Sequence, residues 1–319
     1  MSKGRYNVIA FIIIALISIG SIENPFTTSY VEQIKDLSVV ASKQKDELYI
    51  EIQDKASKYE VKAKDAVLDP VWKATPGYNG KQVDIDASYK AMKKDGVFNE
   101  EKLVYKQVKP TVHLEDLPPS PVYRGNPDKP MVALLINVAW GNEYLPKMVD
   151  VLKKHQVRST FFLEGNWVKK NADLTKMLYD EGHELGNHSF SHPDMKKLSA
   201  NRIREQLQKT NDVIEETIGK KPKWFAPPSG SYRDEVVKIA NEMGMYTILW
   251  SVDTVDWKKP NATEMMNRVL RKVHPGAMIL MHPTEPTAEG LELLIEGLKA
   301  KGYSIGTVTQ LLSEARIDK

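Results

Sequence analysis

The chain of 319 residues contains no cysteine. That excludes a disulfide framework, a thiolate metal site and a cysteine nucleophile. Neither charge sign dominates: 45 Lys and Arg against 42 Asp and Glu leave a net charge of +3. A surface dense enough in cations to neutralise a phosphate backbone therefore has no compositional basis, which argues against a nucleic-acid binder. No apolar run reaches the roughly 20 residues that a helix needs to cross a bilayer. With 41% hydrophobic and 27% charged residues, the composition is that of a globular protein. Any metal or catalytic chemistry must come from His, Asp, Glu, Ser or backbone groups.

What is present begins with an address. Lys3 and Arg5 precede an apolar stretch from Val8 to Ile22. Its length and basic start fit a secretory leader, and Ser18 and Gly20 allow cleavage although no A-x-A site occurs. Residues 1–29 are thus expected to be a signal peptide or an uncleaved signal anchor; a buried N-terminal helix is the alternative. The protein is expected to be exported, with membrane contact only through this segment.

Residues 30–113 read as a small α+β module. Leu48–Ile52 and Glu60–Ala63 alternate like strands, 75–80 is rich in turn residues, and Ala87–Lys94 is helix-like. No chemical constellation lies in it, so a spacer and a wall-binding unit are equally good readings. Residues 114–130 carry five of the eighteen prolines, a stiff segment taken as the linker. From Met131 to Lys319 strand and helix patterns alternate. The strand-like runs are Val132–Asn137, Ser159–Leu163, His183–Asn187, Trp224–Ala226, Tyr246–Trp250 and Ala277–Met281. Ser199 to Gly219 and Ala288 to Lys301 have helical spacing. Repeated β-α units of this kind build a parallel sheet, open or closed into a barrel. Polar residues collect at the C-terminal ends of the strands, the reactive face of such a barrel.

Three of the seven histidines stand there. His188 and His192 are four apart, so a helical turn between them would aim both imidazoles at one ion; surface or cap positions are the plainer alternative. His282 follows the Ala277–Met281 run and has the proton affinity of a general acid or base; a turn histidine is the plainer reading. Asp253 and Asp256, before Trp257, could orient an imidazole, or could simply make an Asx-turn beside a core tryptophan. Phe225–Gly230 contains a Pro-Pro turn that could present the N–H groups of Ser229 and Gly230 to an oxyanion.

The order of these pieces resembles the polysaccharide deacetylases, the NodB-type carbohydrate esterases, from Val132 to about Leu312. The motifs that carry it are Asn137–Trp140, His188–His192, Phe225–Gly230, Asp253–Trp257 and Leu280–His282. The resemblance implies an α/β fold, a distorted (β/α) barrel of about seven strands. It implies a divalent metal, usually zinc, held by one Asp and two His, and an N-acetylated glycan such as peptidoglycan or chitin as substrate. His188 and His192 match the metal ligands, His282 the acid and Asp256 the carboxylate that tunes it. Trp257 and Leu280 match walls of the acetyl pocket, and Pro228, Ser229 and Gly230 the groove and oxyanion loop. Trp140, with the residues after it, is similar to a sporulation-associated subgroup and is a further candidate groove residue.

The first motif departs. Where the family has two adjacent aspartates, base and metal ligand, this chain has Asn137 and Val138; where it has an Arg beside the base, this chain has Ala226. Valine cannot bind a metal, and an Arg without its carboxylate would be an unpaired charge, so the losses fit together. Two functions follow: a glycan N-deacetylase working with an altered base such as His282, or a catalytically impaired protein that binds wall glycan or acts structurally at the wall or spore envelope. No feature points to a particular oligomeric state.

Overall fold

The computed structural model describes residues 47–317, together with Phe11, 28–30 and 32–33. The apolar segment read as an export signal therefore lies, Phe11 apart, outside the described residues. Among the described residues no helix is long and apolar enough to cross a membrane.

The chain divides into two compact units: residues 1–61 with 81–106, and residues 62–80 with 107–319. In the smaller one, the helix over 47–56 and the helix Ile85–Met92 share a core of Leu48, Ile52, Ala56, Val83, Tyr89, Met92 and Leu103. Asp84 caps the second helix by accepting the Ala87 N–H at 2.9 Å. Leu48–Ile52, expected as a strand, is helical. Its alternation covers too few residues to separate the two periods, and burial at Leu48, Ile52 and Ala56 follows the four-residue helical repeat.

The larger unit carries eight parallel strands: β1 (Met131–Val138), β2 (Thr160–Leu163), β3 (Glu184–Asn187), β4 (Trp224–Phe225), β5 (Tyr246–Thr247), β6 (Val252–Asp253), β7 (Met278–Met281) and β8 (Ser304–Gly306). Seven form one curled sheet in the order β6-β7-β1-β2-β3-β4-β5, and β8 also pairs with β1. This is the expected α/β fold with its distorted barrel of seven strands, the sheet curling into a half-barrel. The helices between strands are α1 (Leu145–Lys154), α2 (Gly165–Lys170), α3 (Ala172–Asp180), α4 (Ala200–Ile218), α5 (Asp234–Glu242), α6 (Ala262–Lys272) and α7 (Glu285–Ala300), with α8 (Val308–Leu312) last. β6 and β8 had no strand signal of their own, being two and three residues long.

β1 is buried along its whole length, as a strand covered on both faces must be. Val132, Leu134, Ile136 and Val138 pack outward against Leu145 and Met148 of α1 and Leu291 and Leu294 of α7. Met131, Ala133 and Leu135 face the barrel interior with Phe162, Trp224 and Ile248. α4 spans the stretch expected between Ser199 and Gly219, and Gly219 closes it with φ +73°. Ser199 occupies the N-cap position, but its hydroxyl makes no capping bond.

Residues 114–130 are not a free spacer. Val122, fully buried, donates to Thr247 O at 2.9 Å and accepts from Leu249 N–H at 2.8 Å. Arg124 bridges Ala277, and the Gly125 N–H reaches Gly276 O at 2.8 Å. The segment is thus a strap from the β5 edge to the foot of β7. Residues 62–80 and 107–130 belong to the same unit as the barrel, a division that differs from the boundaries expected at 113 and 130. Prolines bar helix and central strand, but an extended edge tolerates them, so proline density alone could not separate strap from linker.

Candidate active site

Five strand ends converge on a cavity of about 470 Å³. Asn137, near the end of β1, lines it, as do His188 just beyond β3 and His192. Ser229 comes from the loop after β4, Asp253 from the end of β6 and His282 from just beyond β7. Trp140, Trp250, Trp257 and Leu280 are its apolar walls. Trp140 and Trp257 are 47% and 57% exposed, unusual for side chains of that size, and so are open to a ligand.

His188 and His192 come together without the expected helical turn. The chain between them is a loop with two left-handed residues, Ser189 at φ +62° and His192 at φ +55°. Side chains hold this conformation. Asn187 Oδ1 accepts the Ser189 N–H at 2.8 Å, and Gln206 Oε1 of α4 accepts those of Phe190 and Ser191 at 2.9 Å each. Asn187 is itself held by donating to Leu207 O and to Asn211 Oδ1. The two imidazoles meet edge to face, centroids 5.1 Å apart. His188 Nδ1 donates to Ala226 O at 2.7 Å, which fixes the tautomer and leaves Nε2 with its lone pair. Burial pushes His188 down to about 3 and lowers His192 as well, so both rings are neutral.

Across the cavity, Asp256 is fully buried and is the anchor of His282. Its carboxylate accepts the His282 N–H at 2.6 Å, His282 Nδ1 at 2.8 Å and Thr287 Oγ1 at 2.7 Å. With Nδ1 tied to Asp256, Nε2 of His282 is the nitrogen free for proton exchange. The Asp253–Asp256 loop is fastened to β7 by two bonds from Thr254 to Leu280 O. It includes Val255 at φ +53°, a conformation costly for a β-branched residue. Trp140 lies nearly parallel to the His282 ring, 9° off, with centroids 6.1 Å apart.

Four expected site residues do not line the cavity. Asp256 acts from behind His282, the position expected of a carboxylate that orients it. Pro228 is buried, and Gly230 abuts Trp250. The Gly230 N–H is committed to Pro227 O at 3.0 Å, so of the two expected oxyanion donors only that of Ser229, at φ +54°, has no partner. Val138 points into the outer core. A strand alternates its faces, so adjacent positions 137 and 138 cannot both look inward while β1 stays regular. Trp250 and Thr287 were not singled out from sequence; nothing local marks a wall tryptophan or a threonine one helical turn beyond a histidine.

The metal expected at His188 and His192 finds no third ligand there. Asn137 Oδ1 is the nearest in kind, a neutral oxygen that is buried and has no hydrogen-bond partner. Among the described residues, the only three metal-ligating His and carboxylate side chains gathered within 4.8 Å are His155, Glu292 and Glu296, which do not line this cavity.

Residues 124–248 match the family model for polysaccharide deacetylase. The chain is 58% identical to the uncharacterized protein YlxY of Bacillus subtilis over 97% of each. It is 36% identical to the peptidoglycan-N-acetylmuramic acid deacetylase PdaA of Bacillus subtilis, over 60% of this chain and 75% of the other. Among solved structures it is similar to BA3943 from Bacillus anthracis, described as a CE4 family pseudoenzyme. The identity there is 57% with a TM-score of 0.80, covering 85% of this chain and 96% of that one.

Proposed function

This chain belongs to the polysaccharide deacetylase family, and from that membership we propose that it binds amino-sugar polymers of the cell wall through the cavity at its strand ends, with its hydrolytic step disabled. One observation carries the reading. The cavity keeps its aromatic walls and the His282–Asp256 pair, while among the described residues no carboxylate joins His188 and His192 in a three-ligand cluster. Catalytic zinc takes three protein ligands, and Val138 and Ala226 bring neither a carboxylate to join the two imidazoles nor the Arg that would hold one. The donor set does not fit the family's metal.

Apolar faces of pyranose rings pack well on tryptophan, and Trp140 and Trp257 offer two such faces at the mouth. The basic, apolar start of the chain supports export to the wall or spore envelope, where such polymers are found. A second reading, residual N-deacetylation, is favoured by the three hydrogen bonds on Asp256. They keep His282 Nε2 poised to give a proton to a leaving amine or to take one from water. Losing both a general base and a metal removes far more than the roughly 10²–10⁴-fold that base catalysis supplies, so any such turnover is slow.

The test pairs glycan sedimentation with acetate release, using the full chain and purified peptidoglycan or chitooligosaccharide, with and without added zinc. Retention on glycan without acetate is the expected result. Stoichiometric zinc with acetate release that His188→Ala abolishes would overturn the proposal.

A further inference from the structure

Resting on the glycan-binding reading, we propose that the cavity selects amino sugars that carry a free, protonated amine over their N-acetylated forms. The cavity walls carry acceptors and π faces and no Lys or Arg, and the Ser229 N–H is their free backbone donor. Asp253 supplies the carboxylate. One of its oxygens accepts the Val255 N–H at 2.8 Å, and the other makes no hydrogen bond among the described residues. Asn137 Oδ1 is an orphaned acceptor, and His188 Nε2 presents a lone pair because Nδ1 is the donor to Ala226 O.

Three tryptophans line the same space, and indole faces attract ammonium groups. A cluster of acceptors, one carboxylate and several aromatic rings is the surrounding that a –NH₃⁺ group wants, with three donors and a full charge to place. An acetamide offers one N–H and a carbonyl that the Ser229 N–H can meet, but no charge for the Asp253 carboxylate to pair with. The remaining titratable groups at the cavity are His192 and His282, the latter paired with Asp256. A like charge beside the cavity wall is Lys258, whose Nζ lies 5.0 Å from the Trp257 ring centroid.

The ligand class is therefore a de-N-acetylated glycan, the product of an amide-hydrolysing enzyme acting upstream. This chain would read what a deacetylase leaves behind.

The experiment is calorimetric titration of the full chain, in mildly acidic buffer containing a chelator, with a glucosamine tetramer, the N-acetylglucosamine tetramer and a glucose tetramer. An exposed cation–π contact together with a partly buried ion pair predicts about fivefold to thirtyfold tighter binding of the amine. Asp253→Asn keeps the acceptor for Val255 N–H, so the loop survives, and it should erase most of that preference. Lys258→Gln removes the like charge and should enlarge it. Equal or tighter binding of the N-acetyl tetramer overturns the selectivity while leaving glycan binding intact. Amine preference that persists in Asp253→Asn also overturns it. Failure of all three sugars to bind refutes the glycan-binding reading itself.

Discussion

Asp256→Ala is the substitution whose cost the structure specifies best. The carboxylate is fully buried and takes three hydrogen bonds of 2.6–2.8 Å, from the His282 N–H, His282 Nδ1 and Thr287 Oγ1. Alanine would leave all three donors buried without an acceptor, and opening a buried charged network of this kind costs about 3–5 kcal/mol. For a unit of this size each kcal/mol moves the melting temperature by roughly 2–4 °C, so the drop should be about 6–20 °C. All six tryptophans, at positions 72, 140, 167, 224, 250 and 257, belong to the larger unit, so intrinsic fluorescence during urea unfolding reports on that unit alone. Asp256→Asn keeps one acceptor and should cost about 1–3 kcal/mol. Thr287→Val, which removes this donor and the acceptor of the Thr284 hydroxyl, should cost about 1–2 kcal/mol. The expected order is Ala, then Asn, then Val at 287. If Asp256→Ala falls within about 1 kcal/mol of the parent, the carboxylate is not what holds the His282 loop, and the free-Nε2 argument falls with it.

His183 links stability to acid. Burial pushes it down to about 4, and its unprotonated Nδ1 faces the Ser159 N–H at 3.3 Å. The folded state therefore binds fewer protons than the unfolded state between about pH 6.5 and 4. Stability from this group is complete above 6.5 and falls by about 3 kcal/mol as pH drops through that window. His183→Gln should flatten that slope in unfolding titrations; an unchanged slope would assign the acid sensitivity to other groups. Gly141→Ala tests the loop that carries Trp140. At φ +82° a Cβ there would lie 2.0 Å from Pro283 O, next to His282. Strain alone costs about 1–3 kcal/mol. The variant should lose stability and weaken glycan binding together, and binding at parental strength would separate the loop from the cavity.

Much of the larger unit could be read from the chain because its signals are local. Hydrophobic spacing up to Gly219 marks α4, and the strand-then-polar pattern put His188 and His282 at one face. The pairing of Asp256 with His282 and the place of Trp257 at the pocket wall came from the family resemblance. What escaped depends on facing and on distance in sequence. Whether position 138 looks into the cavity is a question of strand parity, which the resemblance to paired aspartates conceals. The turn after β4 looked like two free N–H groups until the fold tied one of them to Pro227. Val122 and Arg124 gave no sign of their partners, because Ile248 and Ala277 lie far along the chain. Leu48–Ile52 satisfied both periods, and burial at Ala56 one turn later decided between them.

The strap at 121–125 bears on how the molecule is made. During synthesis it emerges early, yet the backbone groups it must pair with, at Thr247, Leu249 and Gly276, are translated much later. Until then both its own N–H groups and the β5 edge are open to other chains. A fragment that starts at Met131 would keep that exposure permanently. It would look like a complete barrel in an alignment and behave in solution as one with an unsealed seam, prone to pair with its own copies.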